Sequence, residues 1–183
     1  MTTPTVARIS SPARTGVWIG IATITMSFTA YTSAMVVRQG SGADWQHVAL
    51  PGILYLNTAL LLLSSGTLEL GRRRLRAGAP GAMLLTATLA LGLLFLAGQL
   101  IAWRSLAAQG VYLASNPASD FFYIFTALHG LHLIGGIAAL GYVLGRLRAD
   151  PAPPWSALEA VTLYWHFMGV LWLYLLLVLA TRL

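Results

Sequence analysis

Apolar residues along this chain gather into five long runs separated by short polar stretches: 17–37, 48–70, 81–103, 121–144 and 157–181. Each run is near or above the roughly 20 residues that an α-helix needs to cross a hydrocarbon core about 30 Å thick. None shows the alternating pattern of an outer-membrane barrel strand. The pattern predicts an all-α fold, a polytopic membrane helical bundle of five transmembrane helices. Helix-breaking residues punctuate the connections, at Gly40-Ser41-Gly42, at 72–80, at Asn116-Pro117 and at 151–154. No linker is long enough for a second domain and no repeat is visible. Residues 1–183 therefore read as a single membrane domain, with 1–16 as a polar N-terminal tail.

Composition strengthens this reading. Hydrophobic residues make up 57% of the chain and charged residues 9%, against roughly a quarter charged in soluble domains. Such a chain cannot cover a water-facing surface with polar groups. With no cysteine, disulfides, thiolate metal sites, iron–sulfur clusters and cysteine nucleophiles are excluded. All 11 positive charges are arginine. No basic stripe accompanies a soluble recognition element, so no nucleic-acid partner is implied and the charges act as topology signals.

Those arginines alternate along the chain. Arg8 and Arg14 precede the first span, Arg72, Arg73, Arg74 and Arg76 follow the second, and Arg146 and Arg148 follow the fourth; only Arg38, Arg104 and Arg182 fall on the other side. The positive-inside rule then places the N-terminus in the cytoplasm and the C-terminus outside. The first apolar run is longer than a signal-peptide core, so it is expected to be retained as a span.

Polar groups within spans need a partner or a function. In the second span Asn57, Ser64 and Ser65 fall near one face, which suits hydrogen bonding between helices. Glu69 lies one turn from Arg72 and Arg73, where a local ion pair accounts for it. The hydroxyls of the first span can return their protons to carbonyls one turn back. Gly141 and Gly145 form a small-xxx-small pair that permits close helix contact. Trp103, Trp155, Trp165 and Trp172 lie in or near the ends of spans, several suited to the membrane interface.

The histidines leave two readings open. His129 and His132 are three apart on one face of the fourth span, and His166 lies in the fifth, two turns after Glu159. Counted at 1.5 Å per residue from opposite membrane sides, His132 and His166 fall within roughly 6 Å in depth. That suits axial ligation of a haem between helices. It suits equally hydrogen bonding to Glu159, Tyr164 or a lipid headgroup. The chain has no Gly-rich phosphate loop, GxSxG, HExxH or mid-span carboxylate pair, and none of the paired broken helices of transporters.

Two blocks carry a family resemblance. DFFYIFTALHGLHLIGG at 120–136 and EAVTLYWHFMGVLW at 159–172 resemble the signature of subunit III of haem-copper terminal oxidases (cytochrome c oxidases). LNTALLLLSSGTLE in the second span and FLAGQLIAW, with Gln99, in the third follow in the right order. SFTAYTSAMVVRQ in the first span is similar more loosely. The resemblance covers about 17–183 and matches the short, five-helix bacterial form of a family whose longer members have seven spans. Losing two spans preserves the orientation that the arginines indicate.

The resemblance implies a non-catalytic subunit without redox centres, a multi-pass protein of the bacterial cytoplasmic (inner) membrane in aerobic respiratory electron transport. Its partners would be oxidase subunits I and II, with room for further small subunits, and membrane lipids. Haem and copper would reside in those partner subunits, with no cofactor on this chain beyond bound phospholipid. No residue is then catalytic or metal-binding. Asn57, Ser64, Ser65, Gln99, His129, His132, Glu159, Trp165 and His166 become helix-packing or lipid-contact positions. Two departures stand out: Ile24-Thr25-Met26 occupies the stretch where family members carry a glutamate, and Gly169 stands where an aspartate often follows the Tyr-Trp-His-Phe block. An arginine-rich cytoplasmic face also repels protons, which leaves a proton-gathering role unsupported. The alternatives are a subunit-III-like partner of a nitric oxide reductase or other respiratory complex, a self-contained haem b protein using His132 and His166, and a small transporter.

Overall fold

In the computed structural model, which describes residues 12–42, 44–150 and 154–183, the chain forms five α-helices. They are α1 (Pro12–Ser41), α2 (Ile53–Arg76), α3 (Ala82–Ala108), α4 (Pro117–Ala149) and α5 (Trp155–Arg182). All five are long and apolar enough to span a membrane. Arg8, much of the polar tail, and Pro151 and Pro153 lie outside the described residues. The helices outrun the apolar stretches, because the backbone stays helical into the interfacial region once its hydrogen bonds are made within the segment.

Local chemistry sets several boundaries. Asn116 caps α4: its side chain accepts from the Ala118 and Ser119 amides, the Ser119 hydroxyl accepts from the Asn116 amide, and Pro117 fills the first turn. Gly78 (φ +72°) and Gly110 (φ +79°) end α2 and α3 in left-handed geometry. The amide of Ala79 then reaches Arg74 O, and that of Val111 reaches Leu106 O, which satisfies carbonyls a helix end leaves open.

Helices α2, α3, α4 and α5 form a closed ring, each packed on the next and α5 back on α2. Helix α1 stands outside the ring, against α4 and α5, and contacts neither α2 nor α3 among the described residues. Its buried positions Ile21, Ile24, Phe28 and Met35 recur at helical spacing. Its hydroxyls bond back as expected: Thr23 to Ile19 O, Thr25 to Ile21 O, Ser27 to Thr23 O, Thr29 to Thr25 O and Thr32 to Phe28 O.

The short turn between α2 and α3 holds them closely antiparallel. A methyl group on Gly81 would meet Gly71 O. Gly141 and Gly145 differ from expectation. An added methyl meets nothing within 4 Å at either, so this pair marks an open face of α4 and brings no helix close. At the opposite end of the bundle the segment after α1 closes over the end of α5. Val48 N donates to Leu183 O (2.9 Å), while Trp45 Nε1 (3.3 Å) and Gln39 Nε2 (3.1 Å) donate to Arg182 O. Nearby, Arg38 bonds Asp44 and holds its carboxyl below the usual range.

Candidate functional site

The interior contains a seam of polar side chains joining the ring helices. Trp165 on α5 is fully buried and donates its indole N–H to Ser64 Oγ on α2 at 3.0 Å; Ser64 in turn donates to Leu61 O at 2.7 Å. Trp172, one heptad on, repeats the arrangement with Thr58 (3.0 Å), which donates to Leu54 O (2.8 Å). Trp103 on α3 does so with Thr126 on α4 (3.0 Å), which donates to Phe122 O (2.7 Å). In each case a hydroxyl whose proton goes to its own helix offers its lone pair to an indole from the next. As α5 advances from Trp165 to Trp172, α2 retreats from Ser64 to Thr58, the register of antiparallel packing. Trp165 and Trp172 are thus core residues, not interfacial anchors. Trp155, exposed at the start of α5, suits the membrane interface.

Between α2 and α3, Asn57 Nδ2 donates to Gln99 Oε1 at 2.8 Å with both residues buried. Two glycines of α3 make room for these groups. A methyl on Gly98 would collide with Asn57 Oδ1, and one on Gly92 would fall 2.9 Å from the Trp165 ring. Ser65 does not join the seam. It is half-buried opposite Gly169, where an added methyl would meet its Oγ at 3.5 Å.

The histidines have three different surroundings. His129 is fully enclosed by Phe95 (ring centroids 5.7 Å) and Trp172 (5.1 Å), and neither ring nitrogen has a hydrogen-bond partner among the described residues. His132 pairs its Nδ1 with Leu128 O (2.7 Å), while its carbonyl accepts from the Tyr164 hydroxyl (3.0 Å). Phe28 of α1 faces its ring at 6.0 Å. On α1, then, an aromatic ring meets His132, and Ile24 is buried. His166 borders a pocket with Glu69, Arg72, Arg76 and Glu159. Glu159 bonds Arg76 Nη2 at 2.5 Å instead of a histidine, which ties α5 to the end of α2. Glu69 holds Arg72 (2.8 Å) and Arg73 (2.7 Å), the local pairing its spacing implies. Among the described residues no group of three His, Asp or Glu side chains is placed to hold a metal ion.

Sequence reasoning missed Thr58, Thr126, Gly92 and Gly98. The signal available was the seven-residue spacing of Trp165 and Trp172, which puts both indoles on one helix face. Each indole N–H must find an acceptor once buried.

The sequence profile of the family described as cytochrome c oxidase subunit III matches residues 16–181. The chain belongs to that family. A Synechocystis sp. protein named "Cytochrome c oxidase subunit 3" is 31% identical over 170 residues, covering 89% of this chain and 68% of that protein. A Corynebacterium diphtheriae protein of the same name is 30% identical over 154 residues, 80% of this chain and 74% of its own length. "Probable cytochrome c oxidase subunit 3" of Nocardia farcinica is 36% identical over 88 residues. That match covers 47% of this chain and 43% of the relative, so the chain aligns with less than half of that protein's length. Family membership and the five apolar helices make this a multi-pass membrane protein.

Proposed function

We propose that the chain is the non-catalytic third subunit of a bacterial haem-copper terminal oxidase, a membrane scaffold that packs beside the haem-bearing subunit I and retains structural phospholipid. One observation carries this reading: a set of buried polar side chains bonds one ring helix to the next. The seam at Trp165, Trp172, Trp103 and Asn57 joins α5 to α2, α3 to α4 and α2 to α3. Groups engaged in this way stiffen a helix bundle and leave catalysis to other chains. Haem and copper then belong to subunits I and II. The chain lies in the cytoplasmic membrane with its N-terminus inside. In support, Arg14 lines the same pocket as Arg72 and Arg76, which keeps two of the arginine groups on one side. Phospholipid fits the arginine-lined pocket at that side and the apolar crevice between α1 and α5, where Phe28, Phe167 and Val170 meet.

The test is purification in gentle detergent through a tag at the N-terminus, ahead of α1, since the end of α5 is held by the segment after α1. Mass spectrometry of partners and a reduced-minus-oxidised spectrum follow. The expected result is an oxidase core bearing haem and copper. A lone chain with its own Soret band would overturn the proposal and make His132 and His166 ligands.

A further inference from the structure

The packing of α2 on α3 orients two buried amides and leaves one donor over. A methyl on Gly98 would collide with Asn57 Oδ1, so the glycine Cα–H points at that oxygen, a weak acceptor contact. With its oxygen held there, Asn57 turns Nδ2 toward Gln99 Oε1 at 2.8 Å. The Gln99 amide is oriented in turn, and its Nε2 has no hydrogen-bond partner among the described residues although Gln99 is only 4% exposed. A buried N–H without an acceptor is costly, and hydrocarbon holds no water to supply one.

Gln99 lines a groove of about 350 Å³ between α3 and α4, together with Leu96, Trp103, Gly130, Leu131 and Ile134. Leu131 and Ile134 are exposed, so the groove opens on the lipid-facing surface. No charged side chain lines it. Its other polar side chains are engaged, Trp103 Nε1 donating to Thr126 Oγ1 and Thr126 donating to Phe122 O. The same bond fixes the indole as one wall. Gly130 keeps the floor low: a methyl there meets only Leu96 Cδ2, at 3.8 Å.

One spare donor, no unengaged side-chain acceptor and no charge select an uncharged apolar molecule that presents an acceptor. A carbonyl meets that description, whereas a hydroxyl brings a proton that finds no acceptor. Depth narrows the class. At 1.5 Å per residue Gln99 lies about 6 Å deeper than Trp103, where the apolar run ends. The ester carbonyls of a phospholipid stay at the edge of the hydrocarbon and are too shallow. A quinone dissolves within the hydrocarbon, carries carbonyls on its edge and offers a flat ring to an indole. Leu96 and Ile134, at the deep end of the groove, suit an isoprenoid tail.

We propose that the α3–α4 groove binds an oxidised isoprenoid quinone, whose carbonyl oxygen accepts from Gln99 Nε2 while its ring lies against Trp103. The site lies wholly on this chain and does not depend on the scaffold reading. It is a binding site alone, with no electron transfer assigned to it.

The experiment photolabels the tagged complex in gentle detergent with an azido derivative of decylubiquinone and maps the labelled peptides by mass spectrometry. The expected result is label within 96–103 and 126–134, displaced by decylubiquinone about tenfold more effectively than by its quinol, the worth of one hydrogen bond. Gln99→Leu should lower labelling about tenfold. Gly130→Leu, which fills the groove without touching the Asn57–Gln99 bond, should abolish it while subunit composition and haem spectrum stay unchanged. Label that persists in Gly130→Leu, or that appears only on other segments, would overturn the site. Equal displacement by quinone and quinol would overturn the role of Gln99. Displacement by phosphatidylcholine as effective as by decylubiquinone would make the groove an acyl-chain crevice, and a partner-subunit helix cross-linked to 126–134 would make it a protein interface. Failure of the scaffold reading shows separately, as a chain purified without an oxidase core.

Discussion

Trp165 and Ser64 lie 101 residues apart and meet at 3.0 Å in the buried centre of the bundle, indole N–H to hydroxyl oxygen. Ser64→Ala would leave that N–H enclosed without an acceptor, a loss of roughly 1–3 kcal/mol by protein mutational data, moderated toward ~1 where helices associate in lipid. The thermal midpoint of the purified chain should fall for Ser64→Ala and stay unchanged for neighbouring Ser65→Ala. Equal effects at the two serines would contradict the seam.

Gly98 and Gly145 form a matched pair of tests. A methyl at position 98 collides with Asn57 Oδ1, whereas at 145 it enters open space. Gly98→Ala should cost about 1–3 kcal/mol through overpacking. Gly145→Ala should be neutral, or stabilising by up to ~1 kcal/mol through helix propensity. Folded yield and melting temperature of the two variants would check this, and tolerance of Gly98→Ala would mean that α2 and α3 are less closely packed.

The Arg76–Glu159 pair ties α2 to α5 from a partly exposed position. Its contribution should therefore be small, about 0.2–1 kcal/mol, and reduced by salt. Arg76→Glu or Glu159→Arg alone should lower stability, and the double reversal should recover most of the loss. A double-mutant cycle at two ionic strengths reads this directly. A coupling that is unchanged by salt would contradict the exposed placement.

His129 presents the opposite situation to Ser64. Its imidazole is buried among aromatic rings with neither nitrogen bonded among the described residues. Removing an unpaired polar group of similar shape is near neutral or stabilising. His129→Phe should hold or raise the melting temperature of the isolated chain. A loss of stability beyond ~3 kcal/mol would point to a polar partner, since overpacking by the larger phenyl ring costs about 1–3 kcal/mol.

The five spans were legible because lipid demands long apolar helices, and periodicity reports length directly. The Glu69 pairing and the hydroxyls of α1 were legible because their partners lie within one turn. Asn57 was read as a helix-joining residue, but its partner Gln99 comes from another helix and depends on how α2 and α3 are rotated. The full burial of Trp165 and Trp172 was not legible for a related reason. Indole is amphipathic and favours interfaces in isolation, yet a hydroxyl waiting on α2 satisfies its one donor and allows full burial. Glycine spacing alone could not separate Gly98, filled by Asn57, from Gly145, facing open space.

Helix α1 is synthesised well before α4 and α5, its only helical neighbours among the described residues. During that interval it must reside in the bilayer with no docking surface, while α2 and α3 pair with each other across a short turn. Its polar groups are arranged for the wait: each bonded hydroxyl from Thr23 to Thr32 is satisfied by a carbonyl of the same helix. Capture of α1 by its partners therefore waits until α4 and α5, later in the chain, have entered the bilayer.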